Sequence, residues 1–585
     1  MKMVNLITNH IDIWTTAQTK KSNGGKGRGK NSNEQNSYGI KKLRELILEL
    51  AIRGKLVPQD PKDEPASVLL KNIAKEKEQL IKEGKIKKQK ALPQVSENEG
   101  LFEMPIGWKW TRLGSISQIN PRNEAEDNLT VSFVPMPLIS ASHTGEHGQE
   151  IRTWGEVKKG YTHFADGDIG IAKITPCFEN SKAAVFRRLE NGIGAGTTEL
   201  HIARPFGSTL DPRYILLFLK APRFLYVGKT KMTGTAGQKR VPKDFFSKTP
   251  LPLPPLAEQH RIVSKVDELM VLCDKLEQEQ TDSNENHQVL VETLLSTLAN
   301  AANQRKFTKA SQRIANYFDT LFTTEQSLDQ LKQSVLQLAA IGKLVSQNPN
   351  DEPASVLLEK IAKEKARLIE EEGLRTKAKT QIDPDEEYIN RQPGWEYCRL
   401  GNLAKFIDYR GRTPRKTEFG VPLITAKNVR FGHISRDPQE FISEDEYDIW
   451  MTRGFPRVGD ILFTTEAPLG NVAIVDIQEK FALAQRVICF QLHDPNIAPF
   501  LRILIMSQSF QRQLIDKATG MTATGIKSAK LKEIPVPIPP LAEQHRIVAK
   551  VDELMFISDD LKDRLTDIQT TKVQLADSIV NQAVS

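Results

Sequence analysis

The chain has 585 residues, of which 39% are hydrophobic and 26% charged, and 81 basic against 73 acidic side chains give a formal net charge of +8. This apolar content allows packed cores and excludes a wholly disordered chain, while the length predicts two to four domains. No apolar run reaches the roughly 18 residues of a membrane-spanning helix, and the polar N-terminus does not resemble a secretory signal. Four widely separated cysteines form no CxxC pair, which argues against a disulfide framework or a thiolate zinc site. We therefore expect a cytoplasmic protein without a membrane partner.

The first segment of the chain is polar. Residues 19–37, TKKSNGGKGRGKNSNEQNS, are rich in Gly, Ser, Asn and Lys and show no apolar periodicity. This composition predicts a flexible linker, and a basic arm that touches phosphates is the alternative.

The remainder of the chain repeats one plan twice. LRELILELAIRGKLVPQDPKDEPASVLL from Leu43 matches LKQSVLQLAAIGKLVSQNPNDEPASVLL from Leu331 at an offset of 288. PPLAEQHRIVSKVDELM from Pro254 matches PPLAEQHRIVAKVDELM from Pro539 at an offset of 285, and GWKWTRLG and GWEYCRLG keep the same step between them. Matched landmarks in one order indicate an internal duplication.

The duplication and the texture of the sequence predict an α+β fold with two mixed α/β lobes separated by long helices. In the lobes, Val- and Ile-rich runs such as DIGIAKI and RVICFQL lie between Gly, Pro and Asp turns, which is typical of short strands. In chain order, the predicted segments are an N-terminal segment with the linker (1–40), a helical region (41–100), a first lobe (101–252), a central helical region (253–390), a second lobe (391–537) and a C-terminal helix (538–585).

A long helix is predicted after each PPLAEQ segment. Each double proline suits a first helical turn, with Glu258 and Glu543 near the positive end of the helix dipole. Apolar residues then recur at alternating spacings of three and four, which predicts helices paired in a coiled coil that spans roughly 60 Å and separates the lobes. The predicted stripe includes Leu290, Leu294, Ile568, Leu575 and Ile579, with Ser558 and Lys572 as interruptions.

The positive charge is concentrated in the lobes. Residues 101–252 carry 20 basic and 14 acidic side chains, and residues 391–537 carry 20 and 16. Each lobe has a basic cluster, at 220–248 and at 405–430. Two such clusters on related lobes favour neutralisation of DNA phosphates over two ordinary solvated surfaces.

These segments resemble a known family. The GKLVxQxPxDEPASVLL segments, the PLPPLAEQHRIV and PIPPLAEQHRIV segments and the two intervening lobes are similar to the specificity subunit of type I restriction–modification systems, from about Ile40 to the C-terminus. The resemblance implies that each lobe is a target recognition domain that reads one half of an asymmetric, bipartite site in double-stranded DNA. It also implies an antiparallel coiled coil that measures the spacer and docks two modification subunits.

The resemblance assigns the chemistry to other proteins. It implies that modification subunits use S-adenosylmethionine to methylate adenine, that restriction subunits use ATP and Mg²⁺ for translocation and cleavage, and that this chain binds no cofactor. The helical repeat before the first lobe is similar to the subgroup with an extended N-terminal conserved region. The residues assigned to helix pairing or partner docking are Pro255, Leu256, Ile262, Val266, Leu269, Pro540, Leu541, Ile547, Val551 and Leu554.

Catalytic motifs do not appear in the sequence. No Asn/Asp-Pro-Pro-aromatic tetrapeptide for amino methylation and no GxxxxGK[ST] loop for ATP is present, and Asp460 with Glu466-Ala-Pro lacks the lysine of a nuclease site. His143-Thr-Gly-Glu-His147 matches a zinc-peptidase pattern but has the composition of a loop, so we expect no metal site. Gly192-Ile-Gly-Ala-Gly196 is interpreted as an ordinary turn. The rival hypotheses are a self-sufficient methyltransferase or nuclease and a coiled-coil scaffold without nucleic-acid recognition.

Candidate DNA-binding residues lie in turns where glycines allow close approach and amide or basic groups can reach bases and phosphates. A turn that closes the lobe, or plain lobe surface, is the alternative for each. Gln485-Arg486 suits a buried structural pair equally well, and His260 and His545 suit capping or partner contacts. The candidates are Lys173, Thr175, Asn180, Thr233, Gly234, Gln238, Lys239, Arg240, Lys427, Asn428, Arg430, Thr524, Gly525 and Lys527.

Overall fold

The computed structural model of the chain describes residues 3–20, 35–88, 90–96, 99–100, 102–207, 210–235, 237–372, 382–409, 414–519 and 524–584. The chain divides into two compact units. Unit 1 comprises Met1–Ser283 with Ile568–Ser585, and unit 2 comprises Asn284–Asp567. Each unit therefore contains one lobe and parts of both long helices.

Unit 1 begins with short elements that the sequence did not predict. They are α1 (Met3–Asn9), α2 (Ile11–Thr16), β1 (Gln18–Lys20) and β2 (Gln35–Ser37), followed by α3 (Tyr38–Ile52) and α4 (Ala66–Lys82). β1 and β2 pair in antiparallel register, and Trp14 is fully buried with its Nε1 donating to the Leu6 carbonyl at 3.3 Å. The prediction of a flexible linker over 19–37 is therefore wrong at both ends, because the backbone groups there pair with each other. Residues 21–34 lie outside the described residues.

The first lobe contains three sheets. Its elements are β3 (Lys109–Arg112), α5 (Leu113–Ile116), β4 (Ser117–Ile119), β5 (Thr130–Val134), β6 (Glu150–Thr153), α6 (Trp154–Val157), β7 (Thr162–Ala165), β8 (Ile169–Ala172), β9 (Ala183–Val185), β10 (Ile193–Gly196), β11 (Leu200–Pro205), α7 (Pro212–Lys220), α8 (Pro222–Thr230), α9 (Lys243–Lys248) and β12 (Pro250–Leu253). The sheet β4-β11-β8-β9 is antiparallel throughout, whereas β6-β5-β10-β7 contains the parallel pair β5/β10. The pair β3/β12 joins the start of the lobe to its end.

Helix α10 (Leu256–Ala299) leads from the first lobe into unit 2, where the same plan recurs. The elements of unit 2 are α11 (Gln304–Asn316), α12 (Phe318–Leu321), α13 (Glu325–Ala340), α14 (Ala354–Glu372), β13 (Glu396–Arg399), α15 (Leu400–Leu403), β14 (Ala404–Asp408), β15 (Lys416–Thr417), β16 (Val421–Ile424), β17 (Phe441–Ile442), α16 (Glu444–Trp450), β18 (Ile461–Thr465), β19 (Leu469–Ile474), β20 (Ala482–Leu483), β21 (Val487–Leu492), α17 (Ala498–Met506), α18 (Gln508–Lys517), α19 (Ser528–Lys532), β22 (Pro535–Ile538) and α20 (Leu541–Val584). The sheet β14-β21-β18-β19 reproduces the order of β4-β11-β8-β9, and β13/β22 reproduces β3/β12. The duplicated α+β fold predicted from the sequence is confirmed.

Equivalent contacts recur within each of the two units. Arg261 on α10 binds Asp63, and Arg546 on α20 binds Asp351, both at 2.6 Å. A tryptophan at the base of each lobe meets an aromatic ring edge-on, in the pairs Trp108–Tyr214 at 6.3 Å and Trp395–Phe500 at 6.0 Å between centroids. Each tryptophan packs at the equivalent place in its unit, so the two units share the same arrangement of elements around it.

The glutamates of the two PPLAEQ segments are buried rather than solvated. Glu258 and Glu543 are each 1% exposed. Burial raises the pKa of both carboxyls above the ordinary value, although Trp108 donates to Glu258 at 2.9 Å. The loss of water therefore outweighs the effect of nearby Arg261 and Arg546, which lower these two pKa values.

Within unit 1, contacts with α3 give the directions of the two long helices. Residue numbers along α3 and the few residues that follow it rise together with those of α20 and rise as those of α10 fall, so the two long helices run antiparallel in this unit, as the family resemblance implies. The contacts are Lys42–Asp577 and Arg53–Val584 with α20, and Arg44–Asp274 and Gln59–Glu258 with α10.

Unit 2 contains the same arrangement with the helices exchanged. Here α13 meets α20 in antiparallel order, and Lys343, which follows α13, donates to the carbonyl of Ala299 at the end of α10. The contacts are Asp329–Lys562, Lys332–Asp559 and Lys343–Ala299. The end of α10 therefore completes unit 2 as the end of α20 completes unit 1.

The apolar stripe of the long helices differs from the predicted one in the second half of each helix. Leu290, Ile568 and Leu575 are 47%, 48% and 45% exposed, whereas the buried residues there include Val291 and Ala576. Val291 lies 18 residues after buried Cys273, as Ala576 does after buried Ser558. Eighteen residues are five turns of a straight α-helix, so the residues of each pair lie on the same face of their helix.

Candidate nucleic-acid interface

In the first lobe, three chain segments meet at one edge of the sheet β4-β11-β8-β9. The end of β8 lies beside the start of β11 because Ala172 pairs with Leu200. The hairpin 233–240 then joins this edge: Thr175 N donates to the Lys239 carbonyl at 3.0 Å, and Val241 N donates to the Lys173 carbonyl at 2.8 Å. We call residues 173–175, 199, 233–235 and 237–240 the first recognition edge, and residue 236 lies outside the described residues.

The sequence explains why the hairpin turns here. Thr233 and Arg240 exchange backbone hydrogen bonds of 3.0 and 2.8 Å. Gly234 between them has φ +122°, and a Cβ at that position would lie 2.9 Å from the Gln238 carbonyl oxygen. Only glycine adopts this conformation without strain, so the tip exposes Gln238 and Lys239.

An arginine–glutamate pair lies on the first recognition edge. Arg240 donates from Nε and Nη2 to the carboxylate of Glu199 at 2.8–3.1 Å, and from Nη1 to the Gln238 carbonyl at 3.1 Å. Hydrogen bonding from Arg240 lowers the pKa of Glu199 below its ordinary value. The pair is therefore ionised at neutral pH and holds the guanidinium in one orientation.

The second lobe contains an equivalent edge. Thr519 and Gly525 exchange backbone hydrogen bonds of 2.9 and 3.1 Å, and Ile526 N donates to the Thr465 carbonyl at 3.0 Å, as Val241 does to Lys173. Residues 465–466, 486, 519 and 524–525 form the second recognition edge, and 520–523 lie outside the described residues. The predicted equivalence of the two hairpins is confirmed.

A different arginine–glutamate pair lies on the second recognition edge. Arg486 Nε lies 3.0 Å from Oε1 of Glu466. Thr465 N donates to the Arg486 carbonyl at 3.0 Å, as Lys173 N does to Glu199 at 2.9 Å. Arg486 therefore takes the place of Glu199, and the charge at that place is reversed between the lobes.

Sequence reasoning did not select Arg486. Its position between apolar strand residues suited a buried pair, but the side chain is 49% exposed. Its φ is +77°, an uncommon value for a residue with a side chain. An alignment of the two lobes would place Arg486 opposite Glu199, and this reversal of charge could have marked Arg486 as a candidate.

The remaining candidates lie in three places. Asn180 is exposed on the turn that follows residues 173–175, and Lys527 is exposed just after the second hairpin. Lys427 and Arg430 are exposed on the loop between β16 and β17. Asn428 in that loop is 2% exposed, and its side chain binds the backbone of Thr425, Ser435 and Pro438. Asn428 therefore holds the loop and is removed from the set of base contacts.

The HTGEH segment of the first lobe occupies the place of that loop. It lies between β5 and β6, where Ile139 bridges His147, as Val429 bridges Ile434 in the second lobe. His143 Nε2 lies 3.4 Å from Asp267, and His147 Nε2 accepts from Arg187 N at 3.2 Å. The two imidazoles thus have separate partners, and this geometry does not fit a shared zinc ion.

Comparison with known proteins identifies the family. The model of the type I restriction modification DNA specificity domain matches residues 105–285 and 393–568. The chain belongs to the specificity subunits of type I restriction–modification systems. These subunits recognise DNA and are not enzymes, so the hypothesis of a self-sufficient methyltransferase or nuclease is rejected.

Individual relatives cover the whole chain. The EcoAI specificity subunit of Escherichia coli is 46% identical over 100% of both chains, and the EcoEI specificity subunit of the same species is 44% identical over 100% of both. The EcoBI specificity subunit, also from Escherichia coli, is 24% identical over 60% of this chain and 61% of its own.

In this specificity subunit, several residues assigned to helix pairing or docking lie in the cores of the two units. Ile262, Val266, Leu269, Ile547 and Val551 are at most 4% exposed, and Pro255 and Pro540 are buried beside them. A partner protein cannot reach these side chains in the folded chain. Leu256, Leu541 and Leu554 are half-buried.

Other apolar side chains of the long helices are exposed in a repeated pattern. Val271 and Leu272 on α10 are 66% and 38% exposed, and Phe556 and Ile557, at the offset of 285, are 75% and 43% exposed. Neighbouring large apolar side chains on a surface often mark a protein interface. We call them the first and second apolar pairs.

The described part of the chain contains no group of three His, Cys, Asp or Glu side chains placed to hold a metal ion. Among the described helices, none is both long and apolar enough to cross a membrane.

Proposed function

We propose that this chain is the DNA-specificity subunit of a type I restriction–modification complex that reads an asymmetric, bipartite target, with one half-site for each lobe. The observation that carries the proposal is the pair of equivalent recognition edges with different side chains. An equivalent frame presents each edge to DNA in the same way, while different side chains select different bases.

The length of the spacer between the half-sites is assigned to the long helices. α10 and α20 each run from one unit into the other, so we propose that they set the separation of the half-sites. Inserting four residues after Ser283 and four after Asp567 lengthens both helices by about 6 Å. This change should lengthen the preferred spacer by about two base pairs and leave both half-sites unchanged.

The partners are proposed from the family and from the repeated apolar pairs. Two apolar pairs at equivalent positions suit two copies of one partner, which we take to be the modification subunits. These subunits would use S-adenosylmethionine to methylate an adenine that is flipped out of the duplex. Restriction subunits would use ATP and Mg²⁺ for translocation and cleavage. This chain would bind no cofactor and would act in the cytoplasm.

The test uses the chain assembled with its modification subunits. Adenine methylation is mapped across host DNA, and binding to target and scrambled duplexes is measured by fluorescence anisotropy at several salt concentrations. We expect methylation at one bipartite motif and preferential binding of the duplex that contains it. Equal affinity for target and scrambled duplexes would contradict the proposal, as would methyl transfer by the purified chain without its partners.

A further inference from the structure

Each recognition edge holds one exposed arginine paired with one glutamate, although the two pairs come from different positions of the duplicated frame. We propose that Arg240 and Arg486 each select a guanine in the half-site of their lobe, and that Glu199 and Glu466 are the residues that position them. The proposal rests on the proposed function and names the specificity-determining residue of each half-site.

The hydrogen bonds of Arg240 leave the donors that guanine requires. A guanidinium has five N–H groups. Nε and one N–H of Nη2 bind Glu199, and one N–H of Nη1 binds the Gln238 carbonyl. One N–H on each terminal nitrogen thus remains without an acceptor among the described residues. Two parallel donors of this kind match O6 and N7 of guanine in the major groove.

Arg486 is positioned differently, by hydrogen bonds to its backbone and by an ion pair at its side chain. The left-handed conformation at φ +77° is stabilised by Thr465, whose N and Oγ1 donate to the Arg486 carbonyl at 3.0 and 3.3 Å. Glu466 lies at its Nε, and no described residue accepts from its terminal nitrogens. Strained backbone that its surroundings hold in place often marks a functional position.

The glutamates distinguish these arginines from ordinary phosphate contacts. A carboxylate beside a guanidinium repels phosphate oxygens and cancels most of the positive charge at a distance. Such a pair adds little to non-specific attraction. A fixed fork with two free donors instead gives directional selection, because little side-chain entropy is lost when the base binds.

The test measures discrimination at single base pairs. The assembly with modification subunits is titrated with its target duplex and with duplexes in which each G·C pair of a half-site is replaced in turn by A·T. We expect Arg240→Ala to lower discrimination about 10- to 100-fold at one G·C position of the first lobe's half-site. We expect Arg486→Ala to do the same in the other half-site only.

Conservative variants distinguish base selection by Arg240 from an effect of its positive charge or of misfolding of the lobe. Arg240→Lys keeps the charge but not the fork, so it should lose discrimination and retain the salt dependence of binding. Glu199→Gln should lower discrimination at the same base pair while raising affinity for scrambled duplex. Arg152→Ala is the matched control, because Arg152 pairs with Glu150 at 2.7 Å elsewhere on the first lobe. It should change neither quantity.

Two results would overturn the inference and leave the proposed function intact. One is an equal loss of affinity for every duplex with a salt slope reduced by about one, which marks a phosphate contact. The other is unchanged discrimination in Arg240→Ala and Arg486→Ala. A wild-type assembly that binds all duplexes equally would instead overturn the proposed function itself.

Discussion

Units 1 and 2 share their buried frame and differ at their exposed edges. The Asp63–Arg261 and Asp351–Arg546 pairs have the same length, but the recognition edges exchange a glutamate for an arginine at residues 199 and 486. The Asp63 and Asp351 side chains are only 10% and 7% exposed, so loss of the partner arginine would leave a largely buried charge unpaired, which is costly. Glu199 and Glu466 are 22% and 35% exposed, and ion pairs that lie nearer to solvent contribute less to stability. The two units therefore share their scaffold and differ in the side chains at the proposed recognition edges.

The second sheet of each lobe shows how far divergence extends into the fold. Both lobes keep a parallel pair, β5/β10 and β16/β20. The fourth strand differs between the lobes: β7 pairs with β10 in the first lobe, whereas β15 pairs with β17 in the second. The sheet that bears the recognition edge is unchanged in order, so the position of the edge is preserved while its neighbours vary.

The largest expected effect is the transfer of one half-site. Replacing residues 101–252 by the first lobe of another family member should change the half-site read by that lobe completely and leave the other unchanged. The exchanged segment includes the first recognition edge, while the contacts of unit 2 remain. Mapping methylated adenines in a host that carries the chimera measures this directly. A change in both half-sites would show that the lobes do not read independently.

Substitution of the buried tryptophan in each unit tests whether the two units are stabilised in the same way. Trp108→Ala and Trp395→Ala should each cost about 3–5 kcal/mol, because each empties a buried site next to an aromatic ring. Hydrogen exchange followed by mass spectrometry should show loss of protection confined to unit 1 for the first variant and to unit 2 for the second. Phe419→Ala is the control, because the aromatic side chain that it removes is 81% exposed and its loss should cost little. A large difference between the two costs would break the comparison.

The apolar pairs should contribute equally to partner binding. Val271→Ser with Leu272→Ser, or Phe556→Ser with Ile557→Ser, should weaken binding of one modification subunit at least about tenfold, since apolar contact area is lost. Native mass spectrometry should then show assemblies with one such subunit. Ile449→Ser, which alters an exposed apolar residue in the second lobe, should leave the stoichiometry at two. Loss of both subunits from a single double variant would argue against two separate surfaces.

The smallest expected effect concerns Lys220, whose place in unit 2 is taken by Met506. Lys220 is 3% exposed, and burial lowers its pKa to about 7. An unfolded lysine has a pKa near 10.4, so the unfolded chain binds more protons between about pH 7 and pH 10.4. The free energy of unfolding therefore rises with pH across this window, and the penalty is largest at or below pH 7.

Lys220→Met should remove that dependence. Its melting temperature relative to the wild type should be higher by at least about 2 °C at pH 7 than at pH 10, measured by scanning calorimetry. The Ser140 and Ser181 carbonyls, which accept from Lys220 Nζ, lose a donor at every pH, so the pH dependence is the decisive quantity. Exposed Lys231→Met serves as the control. An equal shift at both pH values would show that Lys220 is protonated when folded.

The sequence by itself determined the duplication, the two lobes and the long helices, because repeated motifs and helical periodicity are local properties of the chain. The antiparallel order of the helices was implied only by the resemblance to the family. It also located the two hairpins, because both segments contain glycine, and the turn at Gly234 has a backbone conformation that only glycine adopts without strain. Periodicity alone missed the change of buried stripe from Leu290 to Val291, because the neighbours of a helix decide which of its faces is covered.

Only the tertiary structure decided which side chains meet. Glu199 and Arg240 are 41 residues apart, and Glu466 and Arg486 are 20 apart; strand pairing brings each pair together at a sheet edge. Burial was also not predictable from the sequence. Asn428 was predicted to contact DNA but is buried, whereas Arg486 suited a buried pair but is exposed. Hydrogen bonds between distant segments set these outcomes, and no local pattern in the chain encodes them.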